Sequence, residues 1–126
     1  MILSPANDFT HSGDTFHTNR GVDTIISGET GPLGDLYAGG HDLAHPYISP
    51  LFGDFTKGFP PTLLASGTRD ILLSNTVRMH RALRAASVPA ELHVLEAAPH
   101  GGFYGAPEDD ELEAEIRAFV ASHLNR

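Results

Sequence analysis

The chain has 126 residues, 40% of them apolar, with a formal net charge of −8 at pH 7 and no cysteine. That length admits one domain with a modest core, and the acidic balance argues against nucleic acid or an anionic membrane as partner. The missing cysteines exclude a disulfide framework, a thiol nucleophile and a thiolate metal site, and leave the redox compartment undecided.

The opening stretch "MILS" reads as a short buried strand. It carries no basic leader, and no run approaches the roughly 20 apolar residues of a membrane span. The default expectation is a soluble, cytoplasmic protein. Residues 5–60 are rich in Gly, Pro, Asp, Asn, Ser, Thr and His and show no sustained period. Asp8, in "SPANDF", suits an Asx turn better than catalysis. His11 and His17 flank the polar stretch "SGDTF". "HDLAH" sets His41 and His45 four apart, a spacing that could bind metal on a helix, but Gly39-Gly40 and Pro46 argue for a loop, and Asp42 stands where H-E-x-x-H needs Glu. No metal site is expected.

The second half is periodic. "PPTLLASG" predicts a buried strand over 61–66. In "SNTVRMHRALRAASV", Met79, Ala82, Leu83 and Ala86 recur at helical spacing, with Arg78, Arg81 and Arg84 left to face water. That helix is expected to be capped by Ser74 or Asn75 and to stop near Val88-Pro89. "AELHVLE" predicts a strand over 90–95 with Ala90, Leu92 and Val94 on one face, and His93 as an ordinary strand residue. The last segment opens with Pro107 and Glu108–Glu111, which suit a helix start, and Leu112, Ile116, Phe119 and Val120 form its apolar stripe. His80 and His123 fall on helix faces expected to be solvated. Strand, helix, strand, helix predicts parallel strands joined by a right-handed crossover.

In open α/β sheets, chemistry gathers at the carboxyl ends of the strands. Asp70 follows the first of these strands in "SGTRD", and His100 follows the second in "EAAPH". A carboxylate on that rim could fix the imidazole tautomer and stabilise its protonated form. Singly, Asp70 could be a helix N-terminal acid and His100 a polar loop residue. Their placement on successive strand ends makes the pair more informative than either alone.

The stretch "SPLFGDFTKGFPPTLLASGTRDILLSNTVRMHRALRAASVPAELHVLEAAPHGGF" resembles the C-terminal part of an α/β-hydrolase, closest to the hormone-sensitive-lipase-like carboxylesterases of the alpha/beta hydrolase fold-3 type. "ILSPANDFT" is similar to a strand and turn of that family, and "GVDTIISGETGPLGDLYAGGHDLAHPYISPLFGDF" to the excursion that contributes to its cap and acyl pocket. The resemblance implies one partial domain over 1–126, an α/β fold with about three parallel strands and flanking helices. It implies Asp70 as triad acid and His100 as triad base, and Leu51, Phe52 and Phe103 as candidate lining of an acyl pocket, with core packing an equal alternative for those three. Ser74 and Asn75 stand where many relatives carry further acids, leaving Asp70 the only carboxylate of its loop. No cofactor is implied. The family's oxyanion-hole "HGGG" lies upstream of its nucleophile, so Gly101 and Gly102 in "PHGGF" read instead as turn glycines.

The nucleophile elbow G-x-S-x-G is absent, and so is the oxyanion-hole loop. The nearest imitations are "SGETG" at Ser27 and "ASGTR" at Ser66. In the family's order both missing elements precede this segment, so the expectation is the C-terminal portion of a longer carboxylic-ester hydrolase. Its partners would be a small ester or lactone substrate and either the N-terminal half of the hydrolase or a second copy in a homo-oligomer. The alternative is a non-catalytic remnant or interaction module with the same fold.

Overall fold

The computed structural model describes residues 1–26 and 30–124, so Ser27–Glu29, the first three residues of "SGETG", lie outside the described residues. Three parallel strands form the frame, in the order β1 (Ile2–Leu3), β2 (Thr62–Gly67), β3 (Ala90–Leu95). Ile2 lies opposite Leu64, and Thr62 through Gly67 pair with Ala90 through Leu95. Every residue of β2 is buried, as expected of a central parallel strand covered on both faces.

The covering elements are α3 (Leu73–Ala85) and α4 (Pro107–Leu124). Met79 and Leu83 of α3 pack with Leu64, Ala90 and Val88, and Leu51 and Phe55 close the same cluster. The opposite face of the sheet presents Ala65 and Leu95 to Leu112 of α4 across a small gap. Along α4 only Phe119 is fully buried; Leu112 and Ile116 are half-buried and Val120 is exposed, so the expected stripe is only partly covered. On β3, Ala90 and Leu92 join the α3 cluster, but Val94, near the strand's carboxyl end, lies outside that cluster and is 42% exposed.

The start of α3 differs from expectation. Neither Ser74 nor Asn75 caps it; the helix begins at Leu73, and the Leu72 N–H donates to Asp70 Oδ1 at 2.8 Å. Ser74 is engaged elsewhere: its N–H donates to Thr15 Oγ1 at 2.8 Å, while the Thr15 N–H donates to Ser74 Oγ at 2.9 Å. This reciprocal pair ties α3 to the short α1 (Thr15–Thr18). The helix ends at Ala85. Ser87 takes a left-handed φ of 61°, with Ser87 N–H to Arg84 O at 3.1 Å and Val88 N–H to Leu83 O at 3.0 Å. That is a Schellman closure with serine in the usual glycine position.

Residues 5–60 hold more structure than their composition suggests. Besides α1 there is α2 (Gly31–Ala38) and two single 3₁₀ turns, Pro50–Phe52 and Phe55–Lys57. His41 and His45 lie in turns and are exposed. Arg78 does not simply face water: it forms an ion pair of 2.6 Å with the buried Asp8, joining the loop after β1 to α3. Asp8 does form the expected Asx turn, accepting the Thr10 N–H at 2.9 Å, and also takes the Ser12 hydroxyl at 2.8 Å. Two histidines expected to be solvated are half-buried. His80 Nε2 meets the Ala90 carbonyl at 3.3 Å, and His123 lies against the Phe119 ring at 4.3 Å between centroids.

Candidate active site

The carboxyl ends of β2 and β3 emerge side by side, and the loops that follow are stitched together. Gly67 ends β2 against the Ala98 backbone so closely that a Cβ there would lie 2.0 Å from the Ala98 oxygen. The Arg69 N–H donates to Ala98 O at 3.0 Å, and the Ala97 N–H donates to Thr68 Oγ1 at 2.7 Å. From the far side, Asn19 Nδ2 donates to the carbonyls of Thr68 and Asp70, at 3.1 and 2.9 Å.

This stitching brings Asp70 and His100 together. His100 Nδ1 lies 3.3 Å from Asp70 Oδ1, at the long end of the N–H···O range. Asp70 is 0% exposed, whereas the His100 side chain is 27% exposed. Burial opposes ionisation of Asp70, but donors outweigh it: His100, the Ser66 hydroxyl on Oδ2 at 2.6 Å, the Leu72 N–H and the Ser4 hydroxyl together hold its pKa below the ordinary value. His100 moves the other way. The hydrogen bond to Asp70 raises its pKa against a smaller effect of burial, and the charges of Asp70 and Asp23 add to the rise. An imidazole whose Nδ1–H faces an ionised carboxylate leaves Nε2 free as a base.

The chain leaves His100 through Gly101 and Gly102, with φ of +82° and +105°. A side chain is strained in that region, which gives both glycines a turn role. The Gly101 N–H donates to Ser4 Oγ at 3.1 Å, and Asp109 in the first turn of α4 accepts from the N–H groups of Phe103, Gly105 and Ala106.

Leu51, Phe52 and Phe103 do not converge on this pair. Leu51 is buried in the α3 cluster, Phe52 is exposed on its 3₁₀ turn, and Phe103 lines a groove with Arg69, Pro99 and Tyr104. Leu51 belongs to the buried cluster with Leu64 and Met79, and its backbone N–H donates to Asn7 O at 3.0 Å. Ser66, the second imitation of an elbow, is buried with its hydroxyl committed to Asp70. Four residues of the site went unforeseen: Ser4, Asn19, Asp23 and Ser66. Asp23 is one more buried carboxylate beside His100, so Asp70 is alone only in its own loop. Among the described residues, no three His, Asp or Glu side chains are grouped so as to hold a metal ion.

The sequence model of one family, described as alpha/beta hydrolase fold, matches residues 1–104. The chain belongs to the α/β-hydrolase family. Within it, a crystal structure of an esterase superposes with a TM-score of 0.91 at 43% identity, covering 97% of this chain and 39% of that one. A hormone-sensitive lipase from a metagenome library gives a TM-score of 0.88 at 29% identity, covering 97% and 43%. An "Esterase" of Acinetobacter venetianus is 31% identical over 90 residues, which are 70% of this chain and 29% of that protein. An "Acetyl-hydrolase" of Streptomyces hygroscopicus is 27% identical over 90 residues, 71% and 30% of the two chains. The chain thus belongs among the hormone-sensitive-lipase-like α/β-hydrolases, a family of esterases, and spans under a third of the curated relatives it matches. No helix among its described residues is long and apolar enough to cross a membrane.

Proposed function

We propose that this α/β-hydrolase chain supplies the acid and base of a Ser-His-Asp triad in a carboxylic-ester hydrolase acting on small esters or lactones. A serine from outside the chain attacks the ester carbonyl, and His100 Nε2 takes the serine proton and returns it to the departing alcohol. Asp70 keeps the proton on Nδ1 and stabilises the imidazolium while it lasts. The observation that supports this most is the 3.3 Å contact between the fully buried Asp70 and the partly open His100, at the carboxyl ends of adjacent parallel strands.

The sequence holds no G-x-S-x-G, which supports a second statement: the 126-residue chain alone has no serine-esterase activity. Both are tested together. The purified chain should neither take a fluorophosphonate label nor turn over a p-nitrophenyl ester, and labelling at one serine with turnover would refute its inactivity. Joined to a segment that carries an elbow and an oxyanion hole, the chain should give turnover that His100→Ala reduces by several orders of magnitude. Undiminished turnover in that variant would refute the triad assignment and favour a non-catalytic role for the chain.

A further inference from the structure

We propose that Asp23 is a positioning residue that holds the acid loop and the histidine loop at one separation and sets the proton affinity of His100. The proposal rests on the reading of Asp70 and His100 as acid and base.

Asp23 lies in the aperiodic half of the sequence, 47 residues before Asp70. It is 2% exposed. Its Oδ2 accepts the Ile71 N–H at 2.9 Å, directly after Asp70 in the chain. Its Oδ1 accepts the His100 N–H at 3.4 Å and, within its own turn, the N–H groups of Ile25 and Ile26 at 2.9 and 3.2 Å. The two oxygens of one carboxylate are therefore divided between the two loops. Among the described residues, no cation pairs with Asp23. Among the described residues its hydrogen-bond donors are all backbone N–H groups, and its negative charge adds to the rise in His100 proton affinity, after the Asp70 hydrogen bond and charge. Among the described residues, other polar groups near His100 include Asp70 on Nδ1, the Tyr104 hydroxyl on the His100 carbonyl at 3.3 Å, and the Ser4 hydroxyl, which accepts the Gly101 N–H and bonds Asp70; Arg69 lines the groove that also holds Pro99.

The need for a carboxylate follows from this geometry. An amide at position 23 offers one acceptor oxygen. If that oxygen keeps His100, the amide nitrogen meets the Ile71 N–H donor to donor; the opposite orientation fails at His100. A carboxylate serves both loops and adds a negative charge that favours the protonated imidazole, the state a triad base passes through.

The test follows the His100 imidazole by NMR titration in the 126-residue chain, comparing wild type with Asp23→Asn and Asp70→Asn, with circular dichroism as the check on folding. In folded Asp23→Asn, His100 should bind its proton about threefold or more weakly. The Ile71 or His100 amide should also exchange faster with solvent. An unchanged His100 titration in a folded Asp23→Asn variant would overturn the proposal, since a merely structural staple leaves that titration where it was. If the variant does not fold, wild-type hydrogen exchange decides: Ile71 and His100 amides should be protected together, and a His100 amide exchanging like an open loop amide would overturn the tether. Asp70→Asn separates the two levels. Should it leave the His100 titration unmoved, the acid–base reading fails and the inference with it; should it lower proton affinity while Asp23→Asn does not, only the role of Asp23 fails.

Discussion

A carboxylate taken fully out of water persists as an anion only where donors replace its hydration. Asp70 has those donors, and its pKa lies below the ordinary value while that of His100 lies above it. The signs give a pH window. The lowered Asp70 contributes stability that is present above about pH 4 and lost as pH falls through its folded pKa; the raised His100 contributes stability that is complete below about pH 6.5 and lost as pH rises through its folded pKa. The denaturant midpoint of the chain should therefore fall between pH 6 and pH 8.5, and His100→Ala should remove that fall. In a form completed with a nucleophile, Asp70→Asn should lower kcat by on the order of 10⁴-fold, as loss of the carboxylate does in other triads. A second residue-scale test concerns Asp8. Burial works against its ionisation, but the hydroxyls of Thr10 and Ser12, the Thr10 N–H and Arg78 prevail. Arg78→Ala should cost about 1–3 kcal/mol in chemical denaturation, the lower end reflecting the hydroxyls that remain on the carboxylate. That Asp70 and His100 meet could be read from the sequence because each follows a strand whose pattern is plain. Asp23, Asn19 and Ser4 could not, because their partners at Ile71, Thr68 and Gly101 lie 48, 49 and 97 residues away and nothing in their own neighbourhood marks them.

At the scale of elements, the site depends on two loops touching where β2 and β3 end. Gly67 is the point of contact, and adding a methyl group would drive it into the Ala98 carbonyl and Cβ, at 2.0 and 2.7 Å. The obstacle is the Ala98 backbone and its Cβ, not the far end of a flexible side chain that could move aside. Gly67→Ala should thus displace the 97–100 loop, lower stability by several kcal/mol as overpacking at a buried site does, and bring the His100 titration closer to that of a free histidine. An unaltered His100 titration in a stable Gly67→Ala variant would show that the contact does not set the pair. The strand–helix–strand–helix order, the parallel pairing and the 90–95 strand were legible because apolar periodicity is strong after residue 60. The start of α3 differs from expectation because Ser74 and Asn75 look like caps, while the group that serves that end is Asp70, the helix N-terminal acid that its sequence position also allows. Its place at that helix end is compatible with the proposed acid role, because Oδ1 accepts the Leu72 N–H while also facing His100 Nδ1. α2 went unseen beneath its glycines, although Thr30 before it, Pro32 in its first turn and Gly39 with φ +58° after it are ordinary start and stop signals.

At the scale of the whole molecule, the described surface leaves apolar edges open. β1 pairs with β2 alone among the described strands, so its outer N–H and C=O groups are available to another chain. Met1 and Leu3 on that edge are 58% and 44% exposed, and a groove of about 290 Å³ runs from Leu3 past Tyr104 and Leu112 to Ile116. Area bookkeeping at about 25 cal/mol per Å² makes several hundred Å² of such surface worth several kcal/mol, against roughly 5–15 kcal/mol for the stability of a small domain. The net charge of −8 opposes association of like chains, so screening should favour it. Analytical ultracentrifugation at tens of micromolar should show the chain as a dimer or larger species, more so at 0.5 M salt than at 0.05 M. Leu3→Lys should shift it toward monomer, because a charge on an edge strand discourages strand addition. A two-state monomer at both salt concentrations would mean that α4 and the front strand already bury enough apolar surface for the chain to stand as a domain of its own.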